Sequence, residues 1–157
     1  MAITLPELVA PITVDLRKTV ENFDVIKGIE HMNYMDVVLA NEALNIVPGQ
    51  WMTLSSTGLV VPATGNAVAN VYPVVVGNNE YDSIATGDLT IAVSGGFIYR
   101  TVQFVAASYT VGQNLCVKNL GGGEMVPSAA GGSDAIVARV FAINTVTGTM
   151  DIQVLDR

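Results

Sequence analysis

One histidine, His31, and one cysteine, Cys116, are all that the chain offers for nucleophilic or zinc chemistry beyond its hydroxyls and carboxylates. A serine or cysteine nucleophile needs a base beside it and a third group to orient that base. His31 lies in Glu30-His31-Met32-Asn33-Tyr34, away from any GxSxG-type elbow, and reads as a structural or solvent-facing histidine. There is no HxH, HExxH or Cys/His pair, and a lone histidine cannot build a zinc shell, so neither a metal nor a cofactor is expected. Cys116 has no partner for an internal disulfide; flanked by Leu115 and Val117, it reads as a small hydrophobe on a strand.

Paired carboxylates alone suffice for glycoside hydrolysis. Glu80, Asp82 and Asp88 are close in sequence, but with no EF-hand-like spacing they read as a solvated acidic loop. Gly121-Gly122-Gly123 is followed by Glu124 where a phosphate-binding loop would carry lysine, and Gly121–Asp134 reads as a mobile loop. No enzyme is predicted. The remaining polar residue of interest is Arg100, a single cation in "GDLTIAVSGGFIYRTVQF" (residues 87–104). Two readings stay open for it: a rim arginine with a buried stem, or one buried in a subunit interface against a carboxylate.

The elements that would hold these residues follow from charge and glycine. Residues 1–47 hold ten of the 21 charged residues and one glycine; residues 48–157 hold 14 of the 15 glycines. This predicts an N-terminal arm, 1–47, and a turn-rich β domain, 48–157. In the arm, Leu16, Val20 and Phe23 fall at i, i+4 and i+7, a short amphipathic helix whose apolar side needs the β domain or a neighbouring subunit to cover it. Beyond Pro48, strand candidates are Trp51–Leu54, Leu59–Val61, Ala67–Val76, Leu89–Ser94, Phe97–Phe104, Asn114–Lys118, Ala135–Asn144 and Met150–Leu155, broken by glycine-rich turns. The fold class is mainly β, a small antiparallel barrel or sandwich. Pro73 marks an edge or a bulge. Gly95-Gly96 as a two-residue turn would put Leu89, Ile91 and Val93 on one core face with Ile98, Arg100 and Val102.

Fourteen acids against seven bases give a net charge of −7, which argues against direct nucleic-acid contact. No apolar run approaches the ~18 residues of a membrane span. The N-terminus lacks a basic residue ahead of an apolar core, so synthesis without a signal peptide, in the cytoplasm, is the expectation.

Several stretches resemble the small glycine-rich β group of tailed-phage capsid decoration, or cement, proteins. Asn45–Leu54 with Gly58–Ala63 is similar to an opening hairpin, and Asp88–Gly96 to a central one. Tyr109–Val117 resembles a strand entered after a glycine, and Ala135–Val140 with Gly148–Leu155 a closing strand pair. The resemblance covers about residues 45–157 and carries no catalytic signature. It implies a virion protein on the capsid exterior that binds the major capsid protein and bridges capsomers. It also implies self-association, a homotrimer ahead of a dimer. Leu16, Val20, Phe23 and Arg100 are then the expected capsid or subunit contacts. A head-fibre base contacting host glycans is the alternative, and a trimeric nucleotide-hydrolysing barrel a weaker one, lacking Asp and Ser motifs.

Overall fold

The computed structural model describes residues 23–40, 46–61, 65–76, 88–120 and 125–156. In chain order the strands are β1 (Asp24–Lys27), β2 (Tyr34–Val38), β3 (Trp51–Leu54), β4 (Val60–Val61), β5 (Val71–Val76), β6 (Asp88–Ala92), β7 (Ile98–Thr101), β8 (Asn114–Asn119), β9 (Met125–Ala129), β10 (Ala138–Asn144) and β11 (Thr149–Val154). They form two antiparallel sheets, one of six strands ordered β1-β7-β11-β10-β8-β9 and one of five ordered β2-β6-β5-β3-β4. The runs are rich in Val, Ile, Thr and aromatics, whose side chains suit a pleated, half-buried surface.

Alternation decides what each strand buries. On β11, Met150, Ile152 and Val154 enter the core while Thr149, Asp151 and Gln153 line the other face. One core receives Trp51, Val71, Val74, Leu89 and Ile91 from the five-stranded sheet and Tyr99, Leu115, Val140, Met150 and Ile152 from the six-stranded one. At its centre the Trp51 Nε1–H donates to Tyr99 Oη at 2.8 Å, so two large amphipathic side chains are buried with their polar ends satisfied.

The mainly β expectation therefore stands, as two packed sheets rather than a closed barrel. The expected short helix over Val14–Phe23 finds no support. Residues 1–22 lie outside the described residues, and Phe23 leads directly into β1, buried against Tyr99. Among the described residues the only helical segment is the 3-10 turn Ile29–His31, and no helix is long and apolar enough to cross a membrane. The β structure also begins well before residue 48: β1 pairs with β7, and β2 with β6.

Three further differences have physical causes. Met125–Ala129, expected within a loop, is β9, paired with β8 along its length. Pro127 disguises it, yet proline is tolerated on an edge strand, which is where β9 lies. Pro73 sits on an interior strand, β5, and of the two expectations an irregularity is what accompanies it, a register shift between Val74 and Val76.

The third is the Gly95-Gly96 hairpin, which does not form: β6 and β7 belong to different sheets. The two glycines are a crossover. Gly96 has φ +84 and its N–H donates to the Val154 carbonyl at 2.9 Å. A methyl on Gly95 would collide with the Leu155 carbonyl group, so the pair is required for close approach to the end of β11. Each strand then takes its facing from its own sheet, and the expected core face of β7 is inverted. Phe97, Tyr99 and Thr101 are fully buried, while Arg100 points to the outer face.

Candidate functional site

Arg100 occupies the middle of β7 with an acid on each neighbouring strand: Asp24 on β1 and Asp151 on β11 are its register partners. Its Nε–H donates to Asp151 Oδ1 at 2.7 Å and its Nη2–H to Oδ2 at 2.9 Å, a bidentate pair. The arginine side chain is 40% exposed and the aspartate 9%. Its hydrogen bonds to the Asp151 carboxylate, helped by the charges of Asp151 and Asp24, hold the guanidinium above its ordinary pKa. The carboxylate partner that Arg100 needs thus lies within its own chain. Next to it, Lys27 on β1 reaches across β7 and β11 to place Nζ 5.2 Å from the centroid of Phe141 on β10. Ile98, in register with Lys27 and Gln153, is buried at 7% exposure.

Of the other expected contact residues, Leu16 and Val20 lie outside the described residues. Phe23 is a core residue, stacked on Tyr99 at 4.5 Å and 18° and tilted against Phe97 at 6.2 Å. The segment around it therefore contributes to the fold before it contributes to any contact.

The residues with chemical potential are not brought together. His31 is exposed, with Nε2 3.5 Å from Glu30 Oε1, while its carbonyl accepts the Ser94 hydroxyl at 2.6 Å. Cys116 is buried on β8, its Sγ 3.6 Å from Asp134 Oδ2. Burial and then the Asp134 charge push its thiol up to about 11, the opposite of what a reactive thiolate requires. Asp134 Oδ2 also accepts the Gly131 N–H at 2.7 Å, which gives that carboxylate a role in shaping its loop. Among the described residues no three His, Cys, Asp or Glu side chains group to hold a metal. Glu80, Asp82 and Gly121–Glu124 lie outside them.

What the structure does assemble is an end built from two stretches that carry no charged side chain of their own. Thr101–Gln113 and Val140–Met150 contain no acidic or basic residue, in a chain of net charge −7. The fold puts them side by side: Met150 is opposite Thr101, Gly112 N–H donates to the Val140 carbonyl at 2.8 Å, and Val140 N–H to the Gln113 carbonyl at 2.9 Å. Between them runs an open groove of about 550 Å³, lined by Phe104, Ala106, Ala107, Tyr109, Ile143 and Met150 among others.

This end is built stiffly. Phe104 and Tyr109 meet edge to face at 5.8 Å and 89°, and the Tyr109 hydroxyl donates to the Val105 carbonyl at 2.6 Å. At the β10–β11 tip, Asn144 Oδ1 accepts the N–H groups of Val146 and Thr147 at 3.0 and 3.1 Å, and the Thr147 and Thr149 hydroxyls pair at 2.8 Å. The tip so formed thrusts Val146 into solvent, 94% exposed, while Val111 is 68% exposed and Val102 and Ile143 are also exposed. Exposed apolar side chains beside an apolar groove make this end a candidate contact site. Residue-by-residue motif reading passes over it. The available signal is two long charge-free stretches with a valine in a turn, where polar residues are the rule.

Comparison with protein-family models, with curated proteins and with solved structures finds no match to this chain.

Proposed function

We propose that this protein is a non-enzymatic structural component of a virion, binding the outside of an assembled capsid and cementing neighbouring capsomers as a homo-oligomer. The observation that carries this reading is the uncharged apolar end, held rigid at one end of a two-sheet sandwich. Such a surface is suited to burying area against protein, with apolar anchors and few charges to desolvate. The class of assembly comes from the resemblance of the opening and closing strand pairs, which are present as β3–β4 and β10–β11, although the central hairpin of that resemblance does not form. The acidic balance fits a position outside the shell, facing the major capsid protein and not the packaged nucleic acid.

The structure redraws the segment proposed to grip the capsid. Because Phe23, β1 and β2 are parts of the sandwich, the capsid-gripping role is proposed for residues 1–22, with Leu16 and Val20. The test is sedimentation with purified, undecorated capsids, comparing the full chain with one that starts at Phe23. The full chain is expected to pellet at a fixed ratio to capsid protein and to raise the temperature at which shells rupture. The shortened chain is expected to stay folded and remain in the supernatant. A full chain that never pellets with capsids refutes the function, and a shortened chain that pellets equally well refutes the role of the arm.

A further inference from the structure

We infer that the uncharged end is where copies of this chain meet, the Val146 tip of one copy seating in the Phe104–Tyr109–Ile143 groove of the next. The inference deepens the self-association within the proposed function and rests on that reading only there.

Two observations select a second copy as the occupant. The first is electrostatic. Every copy carries −7, so two copies repel wherever their acidic surfaces face each other. Thr101–Gln113 and Val140–Met150 form a surface across which acidic copies can approach without opposing like charges.

The second is shape. The same end carries both halves of a contact: a projecting apolar knob, Val146 at 94% exposure, and a concave apolar groove of about 550 Å³. The Asn144 side chain fixes the turn that carries the knob, and the small, exposed Ala106 and Ala107 form part of the groove's lining above the buried Met150. Asn144, Thr145 and Gly148 of the same turn line the groove, so tip and groove adjoin, and reciprocal docking about a two-fold axis seats both tips at once.

The test uses the full chain. In sedimentation velocity the unaltered protein is expected to run as an oligomer and Val146→Glu as a monomer, with an unchanged melting temperature because the residue is almost wholly exposed. Ala107→Trp, which sets a large ring in the lining of the groove, is expected to give the same loss. For contact identity, Val146→Cys chains are mixed with Ala107→Cys chains under mild oxidation; the buried Cys116 does not compete. A disulfide-linked dimer that forms only in the mixture supports tip-into-groove docking. A cross-link in Val146→Cys chains alone, an oligomer that survives Val146→Glu, or an unaltered chain that is monomeric both in solution and on capsids each overturns it. An oligomer that depends on Val146 but never pellets with capsids supports this contact while sinking the cement function.

Discussion

Replacing Phe23 with alanine tests whether the residues before Pro48 are an appendage or part of the core. Phe23 is 6% exposed, stacks on Tyr99 at 4.5 Å and leans on Phe97 at 6.2 Å. Tyr99 in turn accepts the Trp51 indole N–H at 2.8 Å, so the ring that would be lost supports the hydrogen bond joining the two sheets. Truncating a buried phenylalanine costs about 3–5 kcal/mol, the transfer of the ring plus the cavity it leaves. Phe23 enters an edge strand, where the backbone can partly collapse into the space, so the lower end, about 3 kcal/mol, is expected. For a protein of this size that is a fall of roughly 6–12 °C in melting temperature. With a urea slope of about 2 kcal/mol per molar it is a midpoint lowered by about 1.5 M. The chain has a single tryptophan, Trp51, which is fully buried, so its fluorescence reports unfolding from one known place. Phe23→Leu should fall between the two. A loss below about 0.5 kcal/mol, the scatter of surface substitutions, would mean that Phe23 is not seated in the core.

The Arg100–Asp151 pair yields a second test. Arg100→Met leaves Asp151, 9% exposed, and its neighbour Asp24 without their shared cation, a loss of about 1–3 kcal/mol tempered by the guanidinium's partial exposure. The double variant Arg100→Met with Asp151→Leu should recover most of it, and sedimentation should not change; a changed sedimentation profile would show that the pair works between copies. The third concerns Cys116, whose thiol is raised from its ordinary 9.0 to about 11. The folded chain then holds this proton more tightly than the unfolded one. Its contribution is fully present below about pH 9 and lost as pH rises through about 11. Cys116→Ala should flatten part of the alkaline fall in urea midpoint, leaving the share from Tyr99 and Tyr109, whose phenols burial also raises. A midpoint profile identical to that of the unaltered chain would count against the buried thiol.

The candidate surface was legible only in part. Its raw material, two charge-free stretches, is written in the residue order, but nothing local says that residues 101–113 and 140–150 share one end of the molecule. Strand pairing between Thr101 and Met150 brings them together, and that pairing spans 49 residues of separation, from 101 to 150. Arg100 shows the same limit. Its need for a carboxylate follows from the cost of an unpaired buried charge. Which carboxylate, however, depends on β7 lying between β1 and β11.

The residues alone determined the mainly β class, the positions of strands such as Trp51–Leu54 and β11, the inert setting of Cys116 on a strand, and the sparse, acidic charge. These depend on side-chain shape, period-two alternation and turn chemistry, all of which act within a few residues. Tertiary structure decided that β6 and β7 part into different sheets, that Tyr99 faces in and Arg100 out, and that β1 and β2 complete the sandwich. A Gly-Gly between two strand-forming runs sends the same local signal in a hairpin as in a crossover. What separates the two here is distant: the end of β11 presses its backbone against Gly95, in space that only a residue without a side chain leaves open.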